Sequence, residues 1–355
     1  MPFLLKHVSD SGAESEFEVA DVKPIPLTDL SLYMTKKAVT LPVVMSGHVV
    51  SATGVPLGPA TLKMDVQLHD TAAPYVLVRG GVLPSHLPML SGTSFILDRN
   101  VLSMFRNMQG ALETDHSLSW LNSEQFKVNA IWAAFELPSK RSPSGSEFEA
   151  ELHMNTEALR RCLPRAQVIE FAGASLDTMY ALARSFEERA KREAEFLFAV
   201  TPVLADTVAQ ADLSVAEQLV LAEADKPRLK RRSVVVFVAL AKLYEGNEDQ
   251  PVGKMLKLGQ IRSAGCNWRP VAYNALADIR QIELIAAGQS LPGSHALLTR
   301  DHGLVKVWCG LRPTARPATQ GPVAFEFEPD PALFPRLPDL KGMLECLDAV
   351  HTDEG

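Results

Sequence analysis

The sequence predicts an α/β protein in which a central, mostly parallel sheet is flanked by helices. Two short apolar runs, Thr93–Leu97 and Ala296–Thr299, have the length of buried strands. Much of the chain between them has the spacing of amphipathic or buried helices, and strands separated by helices favour a parallel sheet. Each run also ends close to an acid, Asp98 in the first case and Asp301 in the second.

The beginning of the chain has a different pattern. Short apolar segments such as 41–45 are separated by Gly, Pro and Thr, and residues 61–69 partly alternate with period two, as short strands and hairpins do. We therefore expect a small β-rich N-terminal module over residues 1–88. The α/β domain, with a helical insertion, is expected over 89–312, and a Pro-rich C-terminal tail with a short last helix over 313–355.

Several segments have helical periodicity. The strongest covers 176–198, where apolar residues fall on one face and charged residues on the other. The stretch 233–243 is apolar all round, and its length favours a buried helix, although its cluster of valines leaves a strand open. Further helices are expected at 156–163, 206–225 and 273–287.

The bulk composition excludes some classes of protein. A net charge of −7 over 355 residues argues against a general polyanion binder, but it leaves room for a local basic groove. Four scattered cysteines argue against a zinc ribbon or a disulfide framework. Without a signal-peptide pattern or an apolar window of about 20 residues, the sequence predicts a cytoplasmic protein with no membrane partner.

Four acids are candidates for catalysis. Asp98 and Asp301 follow the apolar runs, and ligands of open parallel sheets bind beyond the carboxyl ends of the strands. Asp278 lies in an apolar helical segment, and Glu136 interrupts another apolar stretch. Carboxylates that converge repel one another unless a cation binds them, and oxygen ligands suit Mg²⁺ or Mn²⁺. The sequence therefore suggests a magnesium or manganese site.

The order of these segments resembles the PIN-like nuclease family. The resemblance rests on Phe95–Leu102, Glu136, Ala277–Ile279 and Leu297–Asp301, spread over about 91–312. It implies a PIN-like domain that hydrolyses phosphodiester bonds, usually of single-stranded RNA, with these four acids as catalytic residues. The stretch 150–270 is longer than a compact PIN domain needs, which departs from the family. Bacterial members often act as toxins or in defence.

The resemblance also implies roles for the residues around the acids. The expected metal ligands are Asp98, Asp278 and Asp301. One or two bound ions would lower the pKa of a water and stabilise the charge on the leaving oxygen. Asn100 and Thr299 can orient a metal-bound water, and the Arg300 guanidinium can bind a phosphate.

Each acid has a structural alternative. Asp98 can cap the helix that follows it, and Asp301 can be a turn residue. Asp278 can pair with Arg280 or face the solvent. Glu136 has nearby competitors for the same role, namely Glu113, Asp115 and Glu124.

The densest basic run suggests a nucleic-acid contact. Its cations are Lys226, Arg228, Lys230, Arg231 and Arg232. Such a run can line an RNA path, and it is also typical of a solvated loop. The N-terminal module is a candidate for recognition or regulation, through a homo-oligomer or a regulatory partner.

Two other functions remain open at this point. The first is a non-catalytic nucleic-acid-binding or scaffold protein of the same fold, in which the acids do not converge. The second is a phosphatase or phosphotransferase with Asp98 as its nucleophile. The second is disfavoured because Asn100 stands where aspartyl-phosphate enzymes of the haloacid dehalogenase family carry a second acid.

Overall fold

The structure is a computed structural model of the chain. It describes residues 3–8, 14–30, 39–50, 56–68, 74–84, 93–113, 117–135, 144–246, 251–289, 295–316 and 324–349. The chain forms two compact units. The first comprises Met1–Ala130, Asn155–Glu170 and Leu291–Arg300. The second comprises Ile131–Met154, Phe171–Ser290 and Asp301–Gly355.

The N-terminal part of the first unit is an antiparallel sheet of four strands in sequence order. These are β1 (Phe3–Val8), β2 (Glu14–Val22), β3 (Val39–Val50) and β4 (Pro56–Leu68). Buried Phe17 and Val19 in β2 alternate with more exposed neighbours, as do buried Val43 and Met45 in β3. The expected β-rich character of this region is confirmed.

A second sheet of the same unit has six strands. They are β5 (Tyr75–Val78), β6 (Gly81–Pro84), β7 (Ser94–Leu97), β8 (Lys127–Asn129), β9 (Gln167–Val168) and β10 (His295–Thr299). Their order is β6-β5-β10-β7-β8-β9. The pairs β10–β7, β7–β8 and β8–β9 are parallel, whereas β5 pairs antiparallel with β10 and β6. The sheet is therefore mixed, and its parallel part carries the two apolar runs.

Strands β5 and β6 belong to this mixed sheet, although they precede the expected domain boundary at residue 88. Tyr75, Val76 and Leu77 are almost fully buried. A strand with such burial needs a neighbour on the sheet and cover on both faces, and its neighbours here are β10 and β6. The pairing with β10 joins residues far apart in sequence, which local pattern does not reveal.

The prediction that both apolar runs are strands is confirmed. All four residues of β7 are buried, as are residues 296–299 of β10. The two strands are direct parallel neighbours, with Leu97 opposite Leu298. The residues that follow them, beginning with Asp98, therefore lie at the carboxyl end of the parallel part of the sheet.

Helices account for most of the remaining described residues. They are α1 (Arg99–Asn107), α2 (Gly145–Cys162), α3 (Ala174–Leu204), α4 (Leu213–Asp225), α5 (Val234–Leu243), α6 (Pro251–Leu256), α7 (Leu258–Ser263), α8 (Trp268–Gln289), α9 (His302–Leu311) and α10 (Leu340–Ala349). The helix expected at 233–243 is confirmed as α5. All ten of its residues are buried, including Lys242.

Some helix boundaries differ from expectation. Helix α2 begins at Gly145, well before residue 156, because Ser144 and Glu147 form a capping box. The backbone N–H of Ser144 donates to Glu147 Oε2 at 2.8 Å, and the N–H of Glu147 donates to Ser144 Oγ at 3.4 Å. Helix α4 begins at Leu213 rather than at 206, because Gln210–Asp212 forms a 3₁₀ turn.

The C-terminal region combines strands with a last helix. Strands β11 (Pro313–Arg316) and β12 (Ala324–Phe327) pair antiparallel, so this part of the tail is more ordered than the expected extended segment. Helix α10 confirms the short helix near 340–350. Among the described residues, no helix has both the length and the apolar character that crossing a membrane requires.

Candidate functional site

Polar residues end three neighbouring parallel strands of the mixed sheet. Thr299 is the last residue of β10, Asp98 follows β7, and Asn129 is the last residue of β8. Their exposed fractions are 0%, 3% and 5%. Polar groups this deeply buried need hydrogen-bonding partners. Because the three residues lie at the carboxyl ends of neighbouring parallel strands, they indicate a polar site there, which we call the strand edge.

Thr299 and Asn100 both donate to the Asp98 carboxylate. Thr299 Oγ1 donates to Asp98 Oδ2 at 2.7 Å, and Asn100 Nδ2 donates to the same oxygen at 3.3 Å. The backbone N–H of Asp98 donates to the Leu298 carbonyl at 2.9 Å. Asp98 precedes α1, but its side chain makes no capping hydrogen bond with that helix. The capping alternative for this carboxylate is therefore wrong, because it bonds to Thr299 and Asn100 instead.

Asn129 was missed by the sequence analysis. It stands between the buried residues Val128 and Ala130, so it interrupts a short apolar stretch much as Glu136 does. That interruption is a feature of the sequence that indicates a role for Asn129. A single amide residue in an apolar stretch is, however, weak evidence for a functional site. Only the pairing of β8 with β7, which sets Asn129 opposite Ile96, places it at the same edge as Asp98.

Asp301 caps helix α9 in the second unit. Its Oδ1 accepts a hydrogen bond from the backbone N–H of Leu304 at 2.8 Å. Gly303, in the first turn, is required by close packing, because a Cβ there would lie 2.5 Å from the Pro251 carbonyl oxygen and 2.7 Å from Met255 Cβ. The structure therefore gives the Asp301 side chain a structural role of the kind that the turn alternative anticipated.

Removing the Asp301 cap should destabilise the chain modestly. We expect Asp301→Ala to lower the free energy of unfolding by about 1 kcal/mol, because the Leu304 N–H loses its acceptor. Asp301→Asn keeps a side-chain oxygen and should remain close to wild type. Urea denaturation of the three proteins measures both effects. An alanine variant as stable as wild type would show that this hydrogen bond contributes nothing.

Asp278 pairs with a cation, which is Lys257 rather than Arg280. Lys257 Nζ donates to Asp278 Oδ2 at 3.1 Å and to the Asn274 carbonyl at 3.4 Å. Lys257 has a φ of +54° and separates α6 from α7, so the ion pair ties this left-handed residue to α8. The guanidinium of Arg280 bonds to Glu193 instead.

The other predicted site residues have varied positions. Glu136 and its competitor Asp115 lie outside the described residues. The competitors Glu113 and Glu124 are exposed. Arg300 is exposed at the end of β10, with Nη1 3.5 Å from Met104 Sδ. Within the described part of the chain, no three His, Cys, Asp or Glu side chains are grouped closely enough to hold a metal ion.

The basic run is largely paired with acids. Lys226 Nζ lies 2.5 Å from Glu223 Oε1, and Arg231 donates to both oxygens of Asp225. Arg232 forms an ion pair with Asp348 at 2.5 Å. Lys230 and Arg228 are both exposed, and Arg228 has a φ of +56°. Ion pairing lowers the positive potential that the run offers to a phosphate backbone.

No protein-family model matches this chain, and neither the curated proteins nor the solved structures yield a match.

Proposed function

We propose that the chain is a Mg²⁺- or Mn²⁺-dependent endoribonuclease with a PIN-like domain, and that Asp98 is its principal metal ligand. The observation that carries the proposal is the position of Asp98. Its buried carboxylate follows β7 beside the carboxyl end of the parallel strand β10. Ligands of open α/β sheets bind at such an edge. The proposed substrate is single-stranded RNA, as the resemblance in the order of the acids implies.

The contacts of Asp98 support a role in binding. The bonds from Thr299 and Asn100 both reach Oδ2, and both come from neutral groups. Such donors orient a carboxylate. Hard divalent ions prefer oxygen ligands, and their carboxylate ligands are usually held by further hydrogen bonds. Thr299 and Asn100 would then position Asp98, while exposed Arg300 would contact a phosphate.

The further acids that the resemblance implies are Asp278, Asp301 and Glu136, which all belong to the second unit. Asp301 uses Oδ1 to cap α9, and Asp278 uses Oδ2 to accept from Lys257. A carboxylate has several lone pairs, so these structural bonds are compatible with a role in binding a metal. When bound, the metal would supply a water of lowered pKa and a Lewis acid for the leaving oxygen.

A non-catalytic nucleic-acid-binding or scaffold protein is the second candidate. Its support is that Asp278 and Asp301 both have structural partners. In addition, the described residues show no three acidic, cysteine or histidine side chains grouped for a metal. Under this alternative Asp98 stabilises the strand edge through Thr299, and the chain binds RNA without cleaving it.

The test is metal-dependent cleavage of end-labelled single-stranded RNA. We expect the wild-type chain to cleave it with Mn²⁺ or Mg²⁺ and to be inactive in EDTA, with an Asp98→Asn preparation inactive throughout. Single-stranded DNA and a phosphate monoester serve as parallel substrates. RNA binding without cleavage of any substrate would favour the scaffold function. Cleavage that persists in EDTA would contradict the metal mechanism.

A further inference from the structure

A cleft of about 330 Å³ lies within the second unit, beside α4, α10 and the C-terminal end of α5. Its lining residues are Gln210, Ala211, Leu213, Ser214, Glu217, Tyr244, Leu337, Pro338, Asp339, Gly342, Met343 and Cys346. Buried Leu213, Tyr244 and Met343 contribute apolar surface to it. This volume is within the range of small-molecule sites, which combine an apolar lining with a few polar groups.

One wall carries a carboxylate held by a tyrosine. The Tyr244 hydroxyl donates to Glu217 Oε2. Burial, with Glu217 nearby, raises the pKa of Tyr244 far above its usual value. The phenol therefore remains the donor at neutral pH, and Glu217 remains its acceptor. The hydrogen bond fixes the position of a negative charge beside an apolar surface.

The lining includes a second carboxylate, that of Asp339. Asp339 precedes α10, and its Oδ1 accepts from the backbone N–H of Gly342 at 2.9 Å. A Cβ at Gly342 would lie 2.4 Å from Asp339 Oδ2, so a larger residue there would displace this carboxyl group. Asp339 is exposed and lines the cleft. The lining thus presents a fixed acid that a ligand can reach.

Hydrogen bonds join the segments on the two sides of the cleft. Gln210 Nε2 donates to the Arg336 carbonyl at 3.2 Å, and Arg336 Nε donates to Gln210 Oε1 at 3.3 Å. The backbone N–H of Arg336 donates to the Tyr244 carbonyl at 3.2 Å. These contacts fix the segments around Gln210, Arg336 and Tyr244 relative to one another, and such preorganisation lowers the cost of binding.

The charge of the lining residues indicates which class of ligand the cleft can bind. Glu217 and Asp339 are acids, and among the described lining residues none is Lys, Arg or His. Two arginines outside the lining are engaged elsewhere: Arg231 is paired with Asp225, and Arg336 donates to Gln210 and to the Val208 carbonyl. We propose that the cleft binds a small organic cation with an aliphatic stem. A linear diamine is the simplest ligand that offers one ammonium group to each carboxylate.

This proposal is independent of the nuclease proposal. The cleft lies wholly in the second unit and shares no residue with the strand edge that carries Asp98. A chain without nuclease activity could bind a diamine, and a nuclease could lack diamine binding. The two hypotheses therefore fail separately.

The test uses the full chain and 1,5-diaminopentane. Isothermal titration calorimetry measures the affinity, and iodoacetamide labelling followed by mass spectrometry locates the bound diamine. Cys346 lines the cleft, whereas Cys266 is exposed on the 3₁₀ turn Gly265–Asn267 and does not line it. We expect saturating diamine to slow alkylation of Cys346 and not of Cys266. The neutral analogue 1,5-pentanediol should protect neither cysteine.

Two variants test the carboxylates. Glu217→Gln keeps an acceptor for Tyr244, and Asp339→Asn keeps an acceptor for the Gly342 N–H, so both should fold. Each should weaken diamine binding at least about tenfold, because a hydrogen bond to a charged group is lost. Glu345→Gln is the matched control, since Glu345 lies exposed on α10 outside the lining and pairs with Lys341. Its affinity should equal that of wild type.

Three results would overturn the proposal. The first is no saturable binding by wild type up to about 10 mM diamine, where even a weak complex would be detected. The second is equal protection of Cys346 and Cys266. The third is wild-type affinity in both Glu217→Gln and Asp339→Asn.

Discussion

Replacing Asp98 with asparagine is expected to lower the rate of RNA cleavage at least about hundredfold, because a bound metal supplies several kcal/mol of transition-state stabilisation and each 1.36 kcal/mol is worth about tenfold. The side chain keeps its volume, and its amide oxygen can still accept from the Thr299 hydroxyl. The fold should therefore survive while the negative charge is lost. The measurements are single-turnover cleavage of labelled RNA with Mn²⁺ and the urea midpoint of the same preparation.

A matched variant separates metal binding from support of the strand edge. Thr299→Val removes the hydroxyl that orients Asp98 and leaves the carboxylate in place. It should lower the rate about ten- to hundredfold, as loss of a residue that positions a metal ligand does. Added Mn²⁺ should partly restore this variant and not Asp98→Asn. If Asp98→Asn cleaves RNA like wild type, Asp98 is not a metal ligand.

The same assay distinguishes the roles of Asp278 and Asp301. Asp301→Asn retains an acceptor for the Leu304 N–H, and Asp278→Asn retains one for Lys257. A rate loss with an unchanged urea midpoint would assign that acid to the metal site. An unchanged rate would leave the structural bond as its whole role.

Replacing Arg280 with methionine is expected to reduce the free energy of unfolding by about 3–5 kcal/mol, the cost of leaving a buried charge uncompensated. The Arg280 side chain is 10% exposed and contacts two deeper carboxylates. Its Nη1 donates to Glu283 Oε2 at 2.9 Å, and its Nη2 donates to Glu193 Oε2. Without Arg280, both acids would share the partly exposed Arg189. Urea denaturation at neutral pH measures the loss.

The loss of stability in Arg280→Met should depend on pH in a defined direction. Burial raises the pKa of Glu193 in the folded chain, although Arg280 and Arg189 oppose the shift. Without Arg280 the pKa should rise further, because its opposing charge is gone. An acid whose folded pKa lies above its unfolded pKa is stabilising below the unfolded value, and this contribution is lost as pH rises through the folded value. The free energy of unfolding that Arg280→Met loses relative to wild type should therefore become smaller as pH is lowered.

Two control variants test whether the lost stability comes from uncompensated charge. Arg189 is about one-third exposed, so Arg189→Met should cost about 1 kcal/mol, because Arg280 still compensates both acids. The double variant Arg280→Met with Glu193→Leu should lose less stability than the sum of its two single variants. Strict additivity, or an equal loss in Arg189→Met and Arg280→Met, would contradict this explanation.

Local sequence patterns were sufficient to predict much of the fold. The apolar runs that became β7 and β10 and the uniformly apolar segment that became α5 were recognisable from residue order alone. Run length separated the two cases, because the short runs have the length of strands and the longer segment has the length of a helix. The start of α2 was placed too late, although the Ser144–Glu147 capping box is readable in the sequence.

The hydrogen-bond partners of the candidate acids were harder to predict from the sequence. Lys257 is 21 residues from Asp278, and Thr299 is 201 residues from Asp98. An acid in a chain with 35 Lys and Arg residues has many potential partners, and sequence spacing predicts only those three or four residues away on a helix. Arg280 lies two residues from Asp278, a spacing at which helical side chains do not face each other, and the folded chain directs Arg280 to Glu193 and Glu283.

The sequence by itself determined that Asp98 follows a buried strand, because apolar composition, run length and the acid at its end are properties of neighbouring residues. Only the tertiary structure decided that β10 lies parallel beside β7, that Thr299 therefore bonds to Asp98, and that Asn129 reaches the same edge. Strand pairing depends on burial and hydrogen bonding between segments remote in the chain, and no local pattern encodes which remote segment will be the neighbour.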